Sequence, residues 1–182
     1  MLARPFDDLR EAQEALRERN FMNFDPSKLS TINISENDRK IRLQKLETGE
    51  NDWQILESKG ENNIQPYRAD PAIMDSLLED LSTLRASGFT ADAPTASDNK
   101  DYGFNKPRRI VKLSFSEGDP LTLLLAHPEG KEDVLYAKTN LANFIYKVER
   151  HATLRMIPLD TPYYRNRLLD ILPAAARISA LK

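Results

Sequence analysis

Residues 70–84 read DPAIMDSLLEDLSTL and predict the helix around which the fold is built. Asp70 is a suitable N-cap, and Pro71 follows at the first helical position, where its missing N–H costs no hydrogen bond. Apolar residues then recur every three or four positions, as Ile73, Met74, Leu77, Leu78, Leu81 and Leu84. This spacing defines one face of a helix and is typical of a helix packed on a core. Gly88 is predicted to end the helix in a left-handed turn.

Short strands are predicted on both sides of this helix. Before it, three stretches alternate apolar with polar residues, at Ile32 and Ile34, Ile41 and Leu43, and Trp53 and Ile55. Their polar links are of hairpin size, which indicates an antiparallel meander. After it come the apolar patterns of 110–115, 121–125, 134–136 and 144–148. The predicted fold class is therefore α+β: a meander, a core helix, a second antiparallel strand set, and connector helices at both ends.

The ends of the chain suggest a modular organisation. The pattern that leads into Pro26 recurs before Pro173, at an offset of 147 residues, which favours a repeating module. The predicted units are a connector helix over 1–24, one module over 25–160, and a connector helix with the first strand of a next module over 161–182. Within the module, a mobile loop over 91–105 joins the halves 25–90 and 106–160. A strand that begins near 178 and stops at Lys182 predicts a fragment of a longer protein.

Composition excludes several classes of protein. The 182 residues include no cysteine, which excludes disulfide frameworks and thiolate metal sites. No apolar run approaches the roughly 20 residues of a membrane helix. The net charge of −2 does not indicate nucleic-acid binding. The stretch from Lys138 to Lys182 nevertheless holds 8 basic against 3 acidic residues. Two interpretations of it stay open: a solvated surface, or an electrostatic face for a partner or an anionic membrane.

Catalytic motifs are missing from the sequence. It contains no glycine-rich phosphate loop and no Gly-x-Ser-x-Gly elbow. The histidines, His127 and His151, have no neighbouring acidic residues at ligand spacing, and we interpret them as surface or cap residues. The basic run 106–109 is interpreted as a strand-edge feature. We therefore predict no enzyme, no catalytic, cofactor-binding or metal-binding residues, and no cofactor.

Two other functions stay open on the residues alone. One is a small-ligand-binding or hydrolytic domain with its site at the 91–105 loop, which requires Asp98, Asp101 and Tyr102 to converge on a cleft. The other is a nucleic-acid binder that uses Arg165, Arg167 and Arg177.

The order of several short motifs resembles a known bacterial family. A tryptophan strand precedes an Ala-Asp helix start, the helix ends in Leu-x-x-Leu-x-Ala, and a Tyr-Gly step, a Tyr-Ala strand and an Arg-rich helix follow. The motifs are Trp53–Ile55, Tyr67–Asp70, Leu81–Ala86, Asp101–Pro107, Val134–Lys138 and Tyr163–Leu169, with Arg17–Phe21 resembling the last of them upstream. In this order they resemble the family called domain of unknown function 4340.

The resemblance implies a location and a kind of function. Members of that family are usually membrane-anchored bacterial proteins with modules outside the cytoplasm, and some are similar to auxiliary components of gliding-motility-type ABC transport systems. Together with the absence of a catalytic set and the modular ends, the resemblance predicts a non-enzymatic, periplasmic or extracytoplasmic module that binds or scaffolds a protein partner, with an ABC transporter complex as the candidate partner. On the net charge we predict no nucleic-acid partner, and the resemblance implies membrane association through parts absent from this chain. The oligomeric state stays open, and no catalytic residues are carried over.

Overall fold

The computed structural model describes residues 18–47, 52–58 and 64–167, and these residues form one antiparallel sheet with helices on both faces. Nine strands are described: β1 (Leu29–Glu36), β2 (Arg39–Lys45), β3 (Trp53–Ser58), β4 (Ile64–Arg68), β5 (Gly88–Asp92), β6 (Arg109–Phe115), β7 (Leu121–Ala126), β8 (Leu135–Thr139) and β9 (Phe144–Val148). The described helices are α1 (Pro71–Ser82), α2 (Ala96–Asp101), α3 (Arg150–Met156) and α4 (Thr161–Tyr164). A 3-10 turn at Pro26–Lys28 leads into β1.

The strand order is β4-β3-β2-β1-β6-β7-β8-β9-β5. One four-stranded meander, β1 to β4, therefore extends from the middle of the sheet in one direction, and a second, β6 to β9, extends in the other. They join where β1 pairs with β6, with Ile32 opposite Leu113 and Ile34 opposite Val111. Every strand pair is antiparallel. The predicted α+β class, with an antiparallel meander and a core helix, is confirmed.

Helix α1 begins where the sequence predicts. The Asp70 carboxylate accepts the backbone N–H groups of Ala72 at 3.0 Å and Ile73 at 3.4 Å, which satisfies donors that have no partner within the helix. The helix buries Met74, Leu77, Leu78 and Leu81 against the sheet. It ends at Ser82, earlier than predicted. The predicted role of Gly88 is wrong, because Gly88 opens β5 instead of ending the helix.

The main hydrophobic core lies between the sheet and helices α1, α3 and α4. Alternate residues of each strand point into it, because successive side chains of a strand point to opposite faces. Its largest fully buried side chains include Trp53, Tyr164, Met22, Ile32, Leu43, Leu81 and Leu113. We call this the inner face of the sheet. On the outer face, a smaller cluster formed by Phe104, Ala126 and Ile145 lies beneath Tyr102 and Tyr136.

Three predictions of local structure are corrected. The interval 91–105 is not simply a loop, because it completes β5 and contains α2, which begins with a capping box between Thr95 and Asp98. Strand β4 is not evident from the sequence, and it extends the first meander from three strands to four. The connector helix predicted within 161–182 is described as far as residue 167, and there it consists of the four-residue α4 followed by the extended Arg165.

Some predictions lie outside the described residues. They are most of the connector helix over 1–24, the strand near 178, and Arg177. The division of the chain into a module and flanking units stays a prediction, although the two proposed halves contribute to a single sheet.

Candidate functional site

Over strands β1, β2 and β6 the outer face of the sheet carries mostly polar side chains. In β1, β2 and β6 the inward positions hold apolar residues of the core, so the intervening positions point outward. These outward residues are Thr31, Asn33 and Ser35 on β1, Lys40, Arg42 and Gln44 on β2, and Ile110, Lys112 and Ser114 on β6. Lys40, Arg42 and Lys112 are exposed, so this half of the face is open to solvent.

The strand register places short side chains between long ones. Asn33 lies opposite Arg42 on β2 and opposite Lys112 on β6, while Ser35 lies opposite Lys40 on β2 and opposite Ile110 on β6. Neighbouring strands are about 4.8 Å apart, so the backbones of β2 and β6 are separated by about 10 Å. We call the strip along Asn33 and Ser35, flanked by Lys40, Arg42 and Lys112, the β1 groove.

The β1 groove is positively charged. At the outward positions of the six strands from β4 to β7, the side chains that the structure describes include no aspartate or glutamate. Arg68 on the edge strand is paired with Asp52, with 3.0 Å between Nη2 and Oδ1. Lys40, Arg42 and Lys112 have no ion pair or side-chain hydrogen bond with any described residue. Among the described residues, no carboxylate is paired with these three cations.

A second charged cluster lies on the inner face and is structural. Arg109 is 6% exposed, and its Nε donates to Oε2 of Glu36 at 2.7 Å. The Arg109 Nη1 donates to the carbonyl oxygens of Leu154 at 3.1 Å and Ile157 at 2.5 Å. The interpretation of 106–109 as a strand-edge feature is thus wrong for Arg109. This side chain fixes the end of α3 and the residue after it to the sheet.

The carbonyl groups beyond α3 receive two further side chains. Arg39 donates to the carbonyl oxygen of Leu159, and the Tyr164 hydroxyl donates to that of Pro158 at 2.9 Å. Burial is the main cause that raises the pKa of the Tyr164 hydroxyl. These contacts hold the segment 154–164 in place.

The residues of the alternative site at 91–105 make separate contacts. The Asp98 carboxylate accepts the Thr95 N–H and hydroxyl, both at 2.7 Å, and these hydrogen bonds hold the pKa of Asp98 below its usual range. Asp101 accepts from the Ser97 hydroxyl at 3.4 Å. The Tyr102 ring packs edge-on against Tyr136, with 4.8 Å between ring centroids. The geometry therefore gives no support to a cleft shared by these three side chains.

The remaining candidates also lie apart. His127 Nδ1 is 3.1 Å from the carbonyl oxygen of Pro128, and His151 lies in the first turn of α3. Within the described ranges, no group of three or more histidine, aspartate or glutamate side chains could hold a metal ion. Of the arginines proposed for nucleic-acid binding, Arg165 lies over the Tyr67 ring at 3.9 Å, and Arg167 is exposed.

Comparison with known proteins bears on the identity of the chain. The family model described as domain of unknown function (DUF4340) matches residues 3–107 and 62–155. The chain belongs to the DUF4340 family. No curated protein and no solved structure matches the chain significantly.

The matched segments of the DUF4340 chain contain the candidate site. They extend over all nine described strands and both sides of the β1 groove. Within the described part of the chain, no helix has the length and hydrophobicity needed to cross a membrane. The sequence analysis does not predict that Lys40, Arg42 and Lys112 form a group. The alternation of β2 and β6 already places them on the outer face, but the pairing of both strands with β1 is not evident from the sequence.

Proposed function

We propose that this chain is a non-enzymatic, extracytoplasmic module of a membrane-associated bacterial protein that binds a protein partner through the outer face of its sheet. The observation that carries the proposal is the β1 groove, where Lys40, Arg42 and Lys112 are exposed and unpaired among the described residues. Catalysis is not needed to explain such a surface, since charged rims of this kind steer partners and fix their orientation. The family resemblance suggests an ABC transporter complex as the partner.

The contacts of the described carboxylates also support a binding function over a catalytic one. General acid–base catalysis needs carboxyl groups that face a substrate. In the described chain, Asp25, Asp70, Asp98 and Glu149 instead accept backbone N–H groups at helix starts, and Glu36 pairs with Arg109. These five side chains stabilise the fold where they lie.

Site-specific crosslinking in cells tests the partner. A photoreactive amino acid replaces Asn33 in the full-length membrane-associated protein, and crosslinked products are identified by mass spectrometry. The matched control carries the same amino acid at Asp80, which is exposed on α1 on the opposite face. We expect a transporter subunit in the adduct from position 33 and not in that from position 80. The same adducts from both positions, or none from position 33, would contradict the proposal.

Cysteine labelling tests the location of the module. The sequence contains no cysteine, so an introduced thiol is the one thiol of these 182 residues. Asp80→Cys introduces a single exposed thiol on α1. We expect a membrane-impermeant maleimide to label this thiol in intact spheroplasts. Labelling only after lysis would place the module in the cytoplasm and contradict an extracytoplasmic function.

A further inference from the structure

We propose that the β1 groove binds an acidic, extended segment of the partner protein. This inference rests on the proposed function and names the chemistry of the partner at that surface. It follows from the shape of the groove, from the groups that line it, and from the charge of the surrounding face.

The shape favours an extended chain. Asparagine and serine at positions 33 and 35 reach a shorter distance from the sheet than the lysine and arginine side chains beside them. The strip is thus recessed, and the backbones of its flanking strands are about 10 Å apart. A helix with its side chains is about 10–12 Å across and would rest on the flanking side chains. An extended segment can place a single row of side chains into the strip.

The lining groups favour carboxylates. The Asn33 amide and the Ser35 hydroxyl make no side-chain hydrogen bond with any described residue, so both can donate to a ligand. Arg42 and Lys112 lie on opposite sides of Asn33. A carboxylate above Asn33 would accept the amide N–H and lie between two cations. Charge-assisted hydrogen bonds of this kind are roughly twice as strong as neutral ones.

The same observations disfavour other anionic partners. Single-stranded nucleic acid binds to aromatic side chains on which its bases stack. No aromatic residue occupies an outward position of β1, β2 or the stretch of β6 from Arg109 to Ser114. A bilayer is flat on this scale and cannot reach the recessed Asn33 and Ser35. A second copy of the chain could offer the acidic residues of α1, which is too wide for the strip, or those of short exposed turns such as Glu132 and Asp133, which are not extended segments.

A designed peptide provides the probe. In an extended chain, alternate side chains point to the same side. A peptide of about ten residues that alternates glutamate with threonine therefore directs its carboxylates into the groove, and a peptide with glutamine in place of glutamate is its neutral control. Titration of the isotopically labelled full chain is followed by the backbone amide signals in NMR spectra.

The expected result is a set of signal shifts confined to β1, β2 and β6, with the glutamate peptide and not with the glutamine peptide. The double variant Arg42→Glu/Lys112→Glu should weaken binding at least about tenfold, which corresponds to about 1.4 kcal/mol. The matched control is Lys147→Glu/Arg155→Glu, which makes the same change in net charge at two exposed residues away from the groove. It should bind the peptide as the unmodified chain does, and both variants are checked for unchanged unfolding midpoints.

Several outcomes would overturn the inference. Equal weakening by the two double variants would show a non-specific charge effect. Groove-dependent binding of anionic phosphatidylglycerol vesicles or of single-stranded DNA in preference to the peptide would assign the surface to a membrane or a nucleic acid. Dimerisation of the chain that the Arg42→Glu/Lys112→Glu variant abolishes would assign it to a second copy. The two proposals can fail separately. If the acidic peptide does not bind the groove but crosslinks from position 33 still capture a transporter subunit, the inference of an acidic segment is wrong and the proposed function stands.

Discussion

Arg109 is a charged residue that belongs to the core. Its guanidinium pairs with Glu36 and donates to the carbonyl oxygens of Leu154 in the last turn of α3 and Ile157 just after it, so its charge and its N–H groups have partners. In the sequence it follows Lys106 and Arg108 and is indistinguishable from a surface cation. Burial of this kind depends on partners that lie between 45 and 73 residues away along the chain, which the local sequence does not encode.

Loss of the Arg109 side chain should therefore destabilise the fold. We expect Arg109→Ala to lower the free energy of unfolding by about 2–3 kcal/mol, because it leaves two carbonyl groups without their donor and Glu36 with the Arg108 ion pair alone, at 3.4 Å between Nε and Oε1. The measurement is urea denaturation followed by circular dichroism. The matched control Lys112→Ala removes an exposed cation from the same strand and should change stability by less than about 0.5 kcal/mol. Similar effects of the two variants would show that Arg109 is not part of the core.

Capping carboxylates predict how stability depends on pH. Hydrogen bonds from the backbone N–H groups of Ala152 and His151 hold the pKa of Glu149 below its usual range. A lowered folded pKa means that the stabilisation is fully present above the unfolded pKa, about 4.3, and is lost as pH falls through the folded value. NMR titration should give a Glu149 midpoint below that of an unstructured peptide, and Glu149→Gln should flatten the acidic limb of stability against pH. A Glu149 midpoint at or above the peptide value would contradict the capping geometry.

At the scale of the element, the helices and strands with strong local sequence signals were predicted most accurately. Asp70 and Pro71 define the start of α1, since both act within the first turn. Strand β4 was missed because Pro66 cannot donate to a ladder and argues against a strand, yet β4 is an edge strand, where proline is tolerated. Helix α2 was missed because its composition is typical of loops. The spacing of Thr95 and Asp98, three residues apart, was the available signal of a capping box.

The turn after α2 depends on a glycine. Gly103 has a φ of +82°, and a Cβ atom there would lie 2.1 Å from the carbonyl oxygen of His127. We expect Gly103→Ala to cost about 2–4 kcal/mol, from backbone strain together with this clash. The matched control is Gly118→Ala, because Gly118 has a φ of +96° and a Cβ atom there would meet no other atom within 4 Å.

Thermal or urea denaturation of the two glycine variants separates strain from the clash. Gly118→Ala carries the strain alone and should cost about 1–2 kcal/mol. If Gly103→Ala is no more destabilising than Gly118→Ala, the close approach of the α2 turn to the end of β7 is wrong.

At the scale of the whole molecule, the sequence predicted two sets of strands but not that they pair to form a single sheet. Whether β1 pairs with β6 depends on residues about 80 positions apart, and no local pattern reports such a contact. The first turns of the two meanders do share a pattern: Ser35–Asp38 and Ser116–Asp119 both read Ser-Glu-x-Asp, 81 residues apart. Their third residues, Asn37 and Gly118, both have positive φ. This similarity could have suggested two related meanders within the predicted module.

The β1 groove also depends on the assembly of the whole sheet. The basic surplus of the sequence lies over Lys138–Lys182, whereas the β1 groove takes its cations from β2 and β6. Both strands contribute because they flank β1, so only the assembled sheet brings Lys40, Arg42 and Lys112 together. The absence of a catalytic set is a prediction from the sequence and stays one.

Crosslinking from position 33 in cells, with and without Arg42→Glu/Lys112→Glu, tests the central claim most directly. The readout is the yield of the adduct between the full-length protein and its partner. We predict that the double variant removes this adduct, while Lys147→Glu/Arg155→Glu leaves its yield unchanged. An adduct that persists at full yield in the groove variant, or that never forms in the unmodified protein, would contradict the claim that the outer face of the sheet binds the partner.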